Sequence, residues 1–564
     1  MISLKNTFSG IKGFLVGFFL ILSIIFIYIY YSFFYFSFFI PAFNQINKNE
    51  STVLITLHNE SELRPNLGFL TGFILLQKNK EGIFSMEFHD SYDISAPKKP
   101  IIAPDIIEKN FSADSRYQGW VFRDSNFNMQ YSQNAKNAIA FLQNDKRYKT
   151  LNISAVISLD MHAIEEIIDT IGGINFENKI IYGNNFFSVL ESKAKQFDRS
   201  DENAWKNRKG SIKPLAIAII KKCITSVFAW KDISNTLKSL FADQHILFYS
   251  PQPNIQKIFL DNGISGNINL HENNIPWGLN IANIGGKKGD RYIEKNIKSV
   301  FSIDKNGNIV EKLKIQFSHN GTRNLHSDRY FGYIRIVKPK NSKLISFSKN
   351  KNYINTPTSH TESFPKTSEF DFFFFIDPSS QENLELIFQY PPHINVENPP
   401  ITFDIFTQPG IVKMPTQFIF QAFADSQIKI DNCKNTEYAE NISSCFFTAP
   451  KTPKTITITK KADTTLPIFE DVIFLENGKK IKIQFSEELN PIKKTDIFIV
   501  NKTENINIPI TSIENKTRSI EITLKTALSS KNRTFYNVLI NKLSDISGNS
   551  FDIYNTVIAY PKYK

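Results

Sequence analysis

The sequence predicts an N-terminal membrane-spanning helix, then an α/β domain of mixed sheet and helices, then antiparallel β-sandwich modules. Three observations carry that prediction. Phe14 to Ile40 is almost wholly apolar and sits within Gly13–Asn47, a stretch with no charged residue. Between about 51 and 300, apolar runs of strand period alternate with stretches of helical period. From about Ile297 the helical period disappears, and alternating segments follow one another toward the C-terminus.

At 564 residues the chain exceeds what one core can hold, so several domains are expected. A hydrophobic content of 41% beside 21% charged residues fits folded material. The net charge of +12 favours contact with polyanions such as anionic lipid or envelope glycans. The lysines are scattered, with no Arg-rich helix and no zinc-finger or RNP-like motif, which argues against nucleic acid.

The 14–40 run exceeds the roughly 20 residues that a helix needs to cross a bilayer core. Lys5 and Lys12 precede it and no charge follows until Lys48, so residues 1–13 are expected in the cytoplasm and the bulk of the chain outside. The run is longer than the roughly 7–15 apolar residues of a cleavable signal, which favours an uncleaved, single-pass anchor over cleavage near Pro41-Ala42.

After the anchor, residues 48–300 form the expected α/β domain. Val53–Leu57 and Phe69–Leu76 read as strands around a polar loop holding Asn59, Glu60, Glu62 and Arg64. Further strands are expected at Ile83–Phe88, Ala155–Leu159 and Ile246–Tyr249. Helical period marks Asn134–Leu142, His162–Ile171 and Leu215–Phe241. Asp160 is placed to cap the helix that follows it, and Gly172-Gly173 to end it.

Three loops in this domain carry charge in patterns that suit an anion or a metal. Arg64 has Glu62 beside it; Arg123 and Asp124 are adjacent, offering a guanidinium fork and a carboxylate; Lys288 and Asp290 follow a Gly-Gly pair. Each has a plainer reading as a locally paired turn. The Gly-Gly-Lys loop lacks the spacing of a nucleotide-binding P-loop. The three cysteines are Cys223, Cys433 and Cys445. Cys433 and Cys445 bracket a short polar loop and are read either as a disulfide or as two free thiols, and Cys223 as core.

Residues 301–412 are read as a β-domain, with strands at Leu313–Phe317, Tyr330–Val337, Phe370–Ile376, Leu384–Gln389 and Ile401–Ile405 and an exposed insertion at Asn341–Ser368. Residues 413–462 read as a β-rich linker, and 463–564 as a final β-module.

Several of these motifs resemble the bacterial family named domain of unknown function 4012, over about residues 51–412. Asn59-Glu60-Ser61-Glu62-Leu63-Arg64-Pro65 followed by Gly68 is similar to its Asn-Asn-x-Glu-Leu-Arg-Pro element with two glycines after it, Leu67 standing for the first glycine. Arg123-Asp124-Ser125-Asn126-Phe127 resembles its Arg-Asp-x-Asn-Trp element. Gln256, Gly263, Gly266, Asn283 to Tyr292 and Gln408-Pro409-Gly410 follow in the same order. More loosely, the strand, helix and Gly-Gly ending around Asp160 resembles the LytR-CpsA-Psr wall-polymer ligases, in which arginines grip a polyprenyl pyrophosphate and an Asp helps hold a divalent metal. Their Arg-Asp follows Ser-x-Pro, whereas Arg123 follows Val121-Phe122, so that likeness is one of architecture. The last module resembles bacterial Ig-like domains of surface-layer proteins, which implies a core of Ile483, Phe485, Leu524, Leu528, Tyr536 and Val538 and a turn at Asp545, Gly548 and Asn549.

Two functions follow as expectations. One is an anchored envelope protein that handles a polyprenyl-phosphate-linked glycan, with Arg64, Arg123 and Lys288 neutralising the anion and Asp124 or Asp290 holding Mg²⁺. The other is a non-catalytic envelope or adhesion protein whose Ig-like module spaces or binds. No HExxH, GxSxG, dinucleotide GxGxxG or kinase motif set is present.

Overall fold

The computed structural model describes residues 51–78, 81, 84–94, 101, 103, 104, 106, 107, 120–195, 212–272, 274–304, 308–324, 327–350, 352, 353, 359–361, 364, 366–391, 401–406, 408–421, 436–439, 442–447, 454–458, 466–502, 504–528 and 534–560. The apolar segment 14–40 and Cys433 lie outside these residues. Among the described residues no helix is long and apolar enough to cross a membrane. Two compact units are present, one ending at Ile458 and one beginning at Leu466.

The first unit opens with a five-stranded mixed sheet. Its strands are β1 (Ser51–Leu63), β2 (Gly68–Lys78), β3 (Phe84–Asp90), β4 (Ile153–Asp160) and, after the small hairpin of β5 (Ile174–Phe176) and β6 (Lys179–Ile181), β7 (Ile246–Tyr249). Their spatial order is β3-β2-β1-β4-β7. β1 runs parallel to β4 and antiparallel to β2. The helices are α1 (Tyr131–Asn144), α2 (Met161–Thr170), α3 (Gly183–Lys195), α4 (Ile212–Thr225), α5 (Trp230–Ala242) and α6 (Pro253–Asp261). On one face Leu54, Leu70, Phe73, Val156 and Leu247 pack with Phe141 and Leu142 of α1. On the other, Ile157, Ile246 and Phe248 pack with Ala163, Leu240, Phe241 and Phe259. Burial on both faces is why these strands read as nearly continuous apolar runs.

A two-sheet β-sandwich completes this unit. It uses β8 (Ile275–Asn283), β9 (Ile293–Ile303), β10 (Ile309–His319), β11 (Tyr330–Pro339), β12 (Lys343–Lys349), β13 (Asn352–Tyr353), β14 (Ser359–Thr361), β15 (Thr367–Ile376), β16 (Gln381–Gln389), β17 (Ile401–Phe406), β18 (Thr416–Gln421), β19 (Thr436–Ala439), β20 (Ile442–Phe447) and β21 (Lys454–Ile458). The sheets run β14-β15-β11-β8-β17-β21 and β13-β12-β16-β10-β9-β18-β20-β19. Trp277, Phe301, Phe317, Phe374, Phe388 and Phe418 fill the space between them. Crossing that core, Lys338 on β11 meets Glu311 on β10 at 2.6 Å with neither side chain exposed. Trp277 Nε1 and the Tyr390 hydroxyl also donate to Glu311, at 2.7 and 2.9 Å.

Several expectations are corrected here. β1 does not break at His58 but continues to Leu63, so Asn59, Glu60 and Glu62 lie on a strand rather than in a loop. Leu215–Phe241 is two helices, α4 and α5, separated by a 3₁₀ turn at Val227–Ala229. Within Asn341–Ser368, expected as an exposed insertion, the described strands β12, β13 and β14 pair into the sandwich sheets. β8 and β9 begin the sandwich before residue 301, and β18, β20 and β21 carry it past 412, because each pairs with a sandwich strand.

The second unit is a pair of four-stranded antiparallel sheets. β22 (Phe469–Leu475), β23 (Lys480–Phe485), β26 (Ile510–Lys516) and β27 (Ser519–Leu524) form one; β24 (Ile497–Asn501), β25 (Ile506–Asn507), β28 (Thr534–Ser544) and β29 (Ser550–Tyr560) form the other. Ile483, Phe485, Leu524, Leu528, Tyr536 and Val538 are all buried in their shared core. In the final turn Gly548 adopts φ +92°, and the Asn549 amide nitrogens, main-chain and side-chain, donate to Asp545 at 2.9 Å each.

Candidate functional site

The C-terminal ends of the parallel strands β1 and β4 open toward the sandwich, and every charged loop singled out in the sequence meets there. β1 reverses through Arg64–Leu67, closed by Arg64 N–H donating to the Leu67 carbonyl at 3.2 Å. Leu67 holds φ +59°, a left-handed conformation that a glycine adopts without strain. Its side chain is fully buried, so the position where the family has glycine is here offset by core packing. At Gly68 a Cβ would lie 2.0 Å from the Asn59 carbonyl oxygen, which excludes any other residue without a backbone shift.

Arg64 is 1% exposed and is spent internally. Its guanidinium donates to Glu62 Oε1 at 2.9 Å, to the Asn283 carbonyl at 2.6 Å and to Asp124 Oδ1 at 3.4 Å. Burial pushes the Glu62 carboxyl up against the opposing pull of Arg64. Asp124 sits in a 3₁₀ turn at Phe122–Asp124, whose end is held by Trp120 Nε1 donating to the Asp124 carbonyl at 2.8 Å. Arg123 lies 3.9 Å from the Asp124 carboxylate and stacks on Tyr92 at 4.7 Å. Asn126 ties this turn to the first loop by donating to the Asn66 and Gly68 carbonyls, both at 2.8 Å.

The third loop closes the network. Asp290 accepts from Leu63 N–H at 2.9 Å, Asn283 Nδ2 at 3.0 Å and the Tyr330 hydroxyl at 2.9 Å, with Lys295 Nζ at 3.3 Å. Lys288 instead reaches α3, pairing with Glu191 at 2.9 Å and lying over Phe187. Gln408 donates to the Arg64 and Ile281 carbonyls, each at 2.6 Å, and Pro409 accepts from Leu67 N–H at 2.9 Å. Gly410, at φ +85°, packs so tightly on Leu67 that a Cβ would come within 2.5 Å of its Cα. The motifs thus form one keystone between the mixed sheet and the sandwich.

These residues do not fit a metal. Four donors already face Asp290, Asp124 faces two guanidinium groups, and a cation would be opposed at both. Among the described residues no three of His, Cys, Asp and Glu gather in a ligating group.

A cleft of about 470 Å³ runs beside the keystone, lined among others by Glu60, Ser61, Asp290, Arg291, Glu294 and Lys413. Burial, with Asp160 nearby, pushes the Glu60 carboxyl up to about 8, although Met161 N–H donates to it at 3.0 Å. Arg291 donates to the Ser61 hydroxyl at 2.7 Å and stacks 3.3 Å from the centre of the Phe187 ring. Behind Glu60, Asp160 caps α2 through Ala163 N–H at 2.9 Å, while its other oxygen meets His245 Nδ1 at 2.6 Å. Burial opposes charge on His245, yet the Asp160 carboxylate holds its pKa above the usual value. Nothing local in the sequence marks His245 or Arg291, because their partners lie 85 and 230 residues away.

Residues 48–194 match the family described as protein of unknown function (DUF4012). That segment belongs to DUF4012. Asn283, Asp290 and Gln408 lie beyond the match yet bind directly to the DUF4012 loops. No curated protein matches the chain. Similar solved structures include the N-terminal part of the bacterial S-layer protein SbsC, at 20% identity and TM-score 0.16, covering 17% of this chain and 24% of that one. A transcriptional regulator from Enterococcus faecalis is 15% identical at TM-score 0.23, covering 39% and 74%. A Streptococcus agalactiae protein is 14% identical at TM-score 0.25, covering 40% and 76%. At these scores the likenesses decide neither fold nor function. Cys445 is disulfide-bonded and Cys223, half-buried against the α2 side of the core, is a free thiol.

Proposed function

We propose that this chain is a single-pass, outward-facing protein of the cell envelope, held in the membrane by residues 14–40, whose DUF4012 domain and sandwich form a non-catalytic binding scaffold. The burial of Arg64 carries this reading. A guanidinium already engaged by Glu62, Asp124 and the Asn283 carbonyl, at 1% exposure, has no face left for a pyrophosphate. The open cleft beside it offers Arg291 and Lys413 to an envelope glycan, with Glu60 as a polar partner. Paired four-stranded sheets over one core support an Ig-like reading of the second unit, as a spacer or a further binding module.

The convergence of all three charged loops favours a second reading, in which the domain handles a polyprenyl-phosphate-linked glycan as the LytR-CpsA-Psr ligases do. The discriminating experiment presents the full chain, reconstituted in vesicles, with a polyprenyl-pyrophosphate-linked oligosaccharide and with the free anionic oligosaccharide. The scaffold reading expects free oligosaccharide to bind, binding to fall with Arg291→Ala, and no glycan transfer. Transfer that disappears with Arg123→Ala would establish the second reading instead. Protease added to intact spheroplasts should remove the C-terminal unit while a tag before Ser3 stays protected; the reverse pattern would invert the topology.

A further inference from the structure

Helix α4 carries isoleucine on both sides. Leu215, Ile219 and Cys223 pack inward on the α2 core, whereas Ile217, Ile220 and Ile224 face solvent. The chain then turns through Val227–Ala229, leaving Phe228 100% exposed and Trp230 44% exposed, with the indole N–H tied to the Cys223 carbonyl at 3.1 Å. Lys213, Lys221, Lys222 and Lys231 are exposed along the same segment, and no acidic residue lies between Ile212 and Lys231. Apolar side chains, an aromatic tip and flanking lysines are the combination that seats a helix in the headgroup region of anionic lipid.

Its position in the fold points to the same partner. α5 ends at Ala242, next to β7, whose first residue Ile246 pairs with Leu159 at the C-terminal end of β4. Thr236 in the middle of α5 meets Thr170 at the C-terminal end of α2, and Ile233 packs in the core that holds Ile168 and Ile171. α5 therefore runs antiparallel to α2, and the Phe228–Trp230 turn lies at the end of the sheet where β4 begins. β1 begins there too, with Thr52 paired to Ile153. Ser51 follows the apolar 14–40 segment after only ten residues, Pro41 to Glu50, which span at most about 35 Å.

We propose that the ridge of Ile217, Ile220, Ile224, Phe228 and Trp230 docks on the surface of an anionic phospholipid bilayer. This inference rests on residues 14–40 being a membrane anchor. The docked ridge would fix the domain upright. β1 then rises away from the lipid over its 13 residues, about 40 Å, and sets the Glu60–Arg291 cleft at the far end. A ligand of that cleft would be reached from the envelope side rather than from the lipid surface.

Tryptophan quenching in the full chain tests this. The protein is reconstituted into vesicles of brominated phosphatidylcholine, with and without phosphatidylglycerol, and compared with Trp230→Phe, which isolates one of the four tryptophans. Docking predicts that brominated lipid quenches the wild-type chain and that Trp230→Phe removes most of that quenching. It also predicts that Lys221→Glu with Lys222→Glu weakens the Trp230 quenching severalfold in phosphatidylglycerol vesicles, since each lysine near anionic lipid strengthens binding roughly fivefold. Quenching that Trp230→Phe leaves unchanged, in protein that resists alkaline extraction, would overturn docking while sparing the anchor. Protection of residues 212–231 that rises with protein-to-lipid ratio would assign the ridge to a second copy of the chain and also overturn it. Release by alkali would overturn the anchor, and Trp230 quenching by added vesicles would then decide the docking alone.

Discussion

Replacing Arg64 with methionine separates a keystone from a ligand site. Methionine keeps an apolar stem but removes the guanidinium, leaving Glu62 and Asp124 partly or wholly buried without their main counter-charge and the Asn283 carbonyl without its 2.6 Å donor. Breaking a buried pair by removing one partner costs about 3–5 kcal/mol. Set against a typical total of about 5–15 kcal/mol, that is about a fifth or more of the stability of a domain. The loss should grow with pH. Burial already raises the Glu62 carboxyl, and without Arg64 its folded-state pKa rises further above the unfolded value of 4.5. A carboxyl raised in this way leaves stability intact below the unfolded pKa and erodes it as pH climbs toward the folded pKa. Glu62→Gln in the Arg64→Met background should recover part of the loss at pH 8 and little at pH 4. Hydrogen exchange on the full chain reads this by element: amides of β1, β2 and β8 should exchange about 100-fold faster or more, each 1.36 kcal/mol being tenfold, while those of β27 and β28 in the second unit stay unchanged. A change below about 0.5 kcal/mol, the range of exposed substitutions, would refute the keystone and return Arg64 to the list of ligand-binding residues.

Three further outcomes are expected. Glu60→Gln should flatten the pH dependence of stability between 4.5 and about 8, where the folded wild type retains a proton that its unfolded chain has lost, and should make the protein more stable than wild type at pH 8, measured by urea titration. Lys338→Met should cost about 3 kcal/mol, the low end for a broken buried pair because Glu311 keeps Trp277 and Tyr390 as donors. Since burial lowers the Lys338 pKa to about 8, wild-type stability should rise from pH 8 toward 10.5, and that rise should vanish in the variant. Gly410→Ala should destabilise the first unit by more than about 1 kcal/mol, since φ +85° is strained for alanine and its Cβ meets Leu67 backbone; an unchanged urea midpoint would contradict the close packing.

Much of the fold was legible because local periodicity and burial coincide. All five strands of the first sheet were expected, four of them within about two residues at each end, as were the helices α1 and α2 within about three, since strands covered on both faces are apolar throughout and α2 has a cap at Asp160 and glycines at its end. The six core residues that the Ig-like resemblance implied for the last unit are all buried in the core between its sheets. The split between α4 and α5 was missed because the apolar period continues across a turn whose aromatic residues are exposed. The long reach of β1 was missed because Asn59, Glu60 and Glu62 look like loop residues, and only the sandwich packed beyond them allows a strand to carry that polarity.

The sequence by itself determined the strand and helix types, the alternation that makes the sandwiches, and the presence of three Arg-, Lys- and carboxylate-bearing segments. Those follow from side-chain chemistry over a few neighbouring residues. Only the tertiary structure decided what the charges meet. Arg64 meets Asn283 across 219 positions and Gln408 across 344, contacts that no local pattern encodes. Once buried, a guanidinium is held by whichever carboxylates and carbonyls the fold brings to it, because leaving it unpaired would cost several kcal/mol. Packing therefore buried Arg64 and Asp290 among partners from distant strands, and left an open cleft beside them, at the end of β1 remote from Ser51.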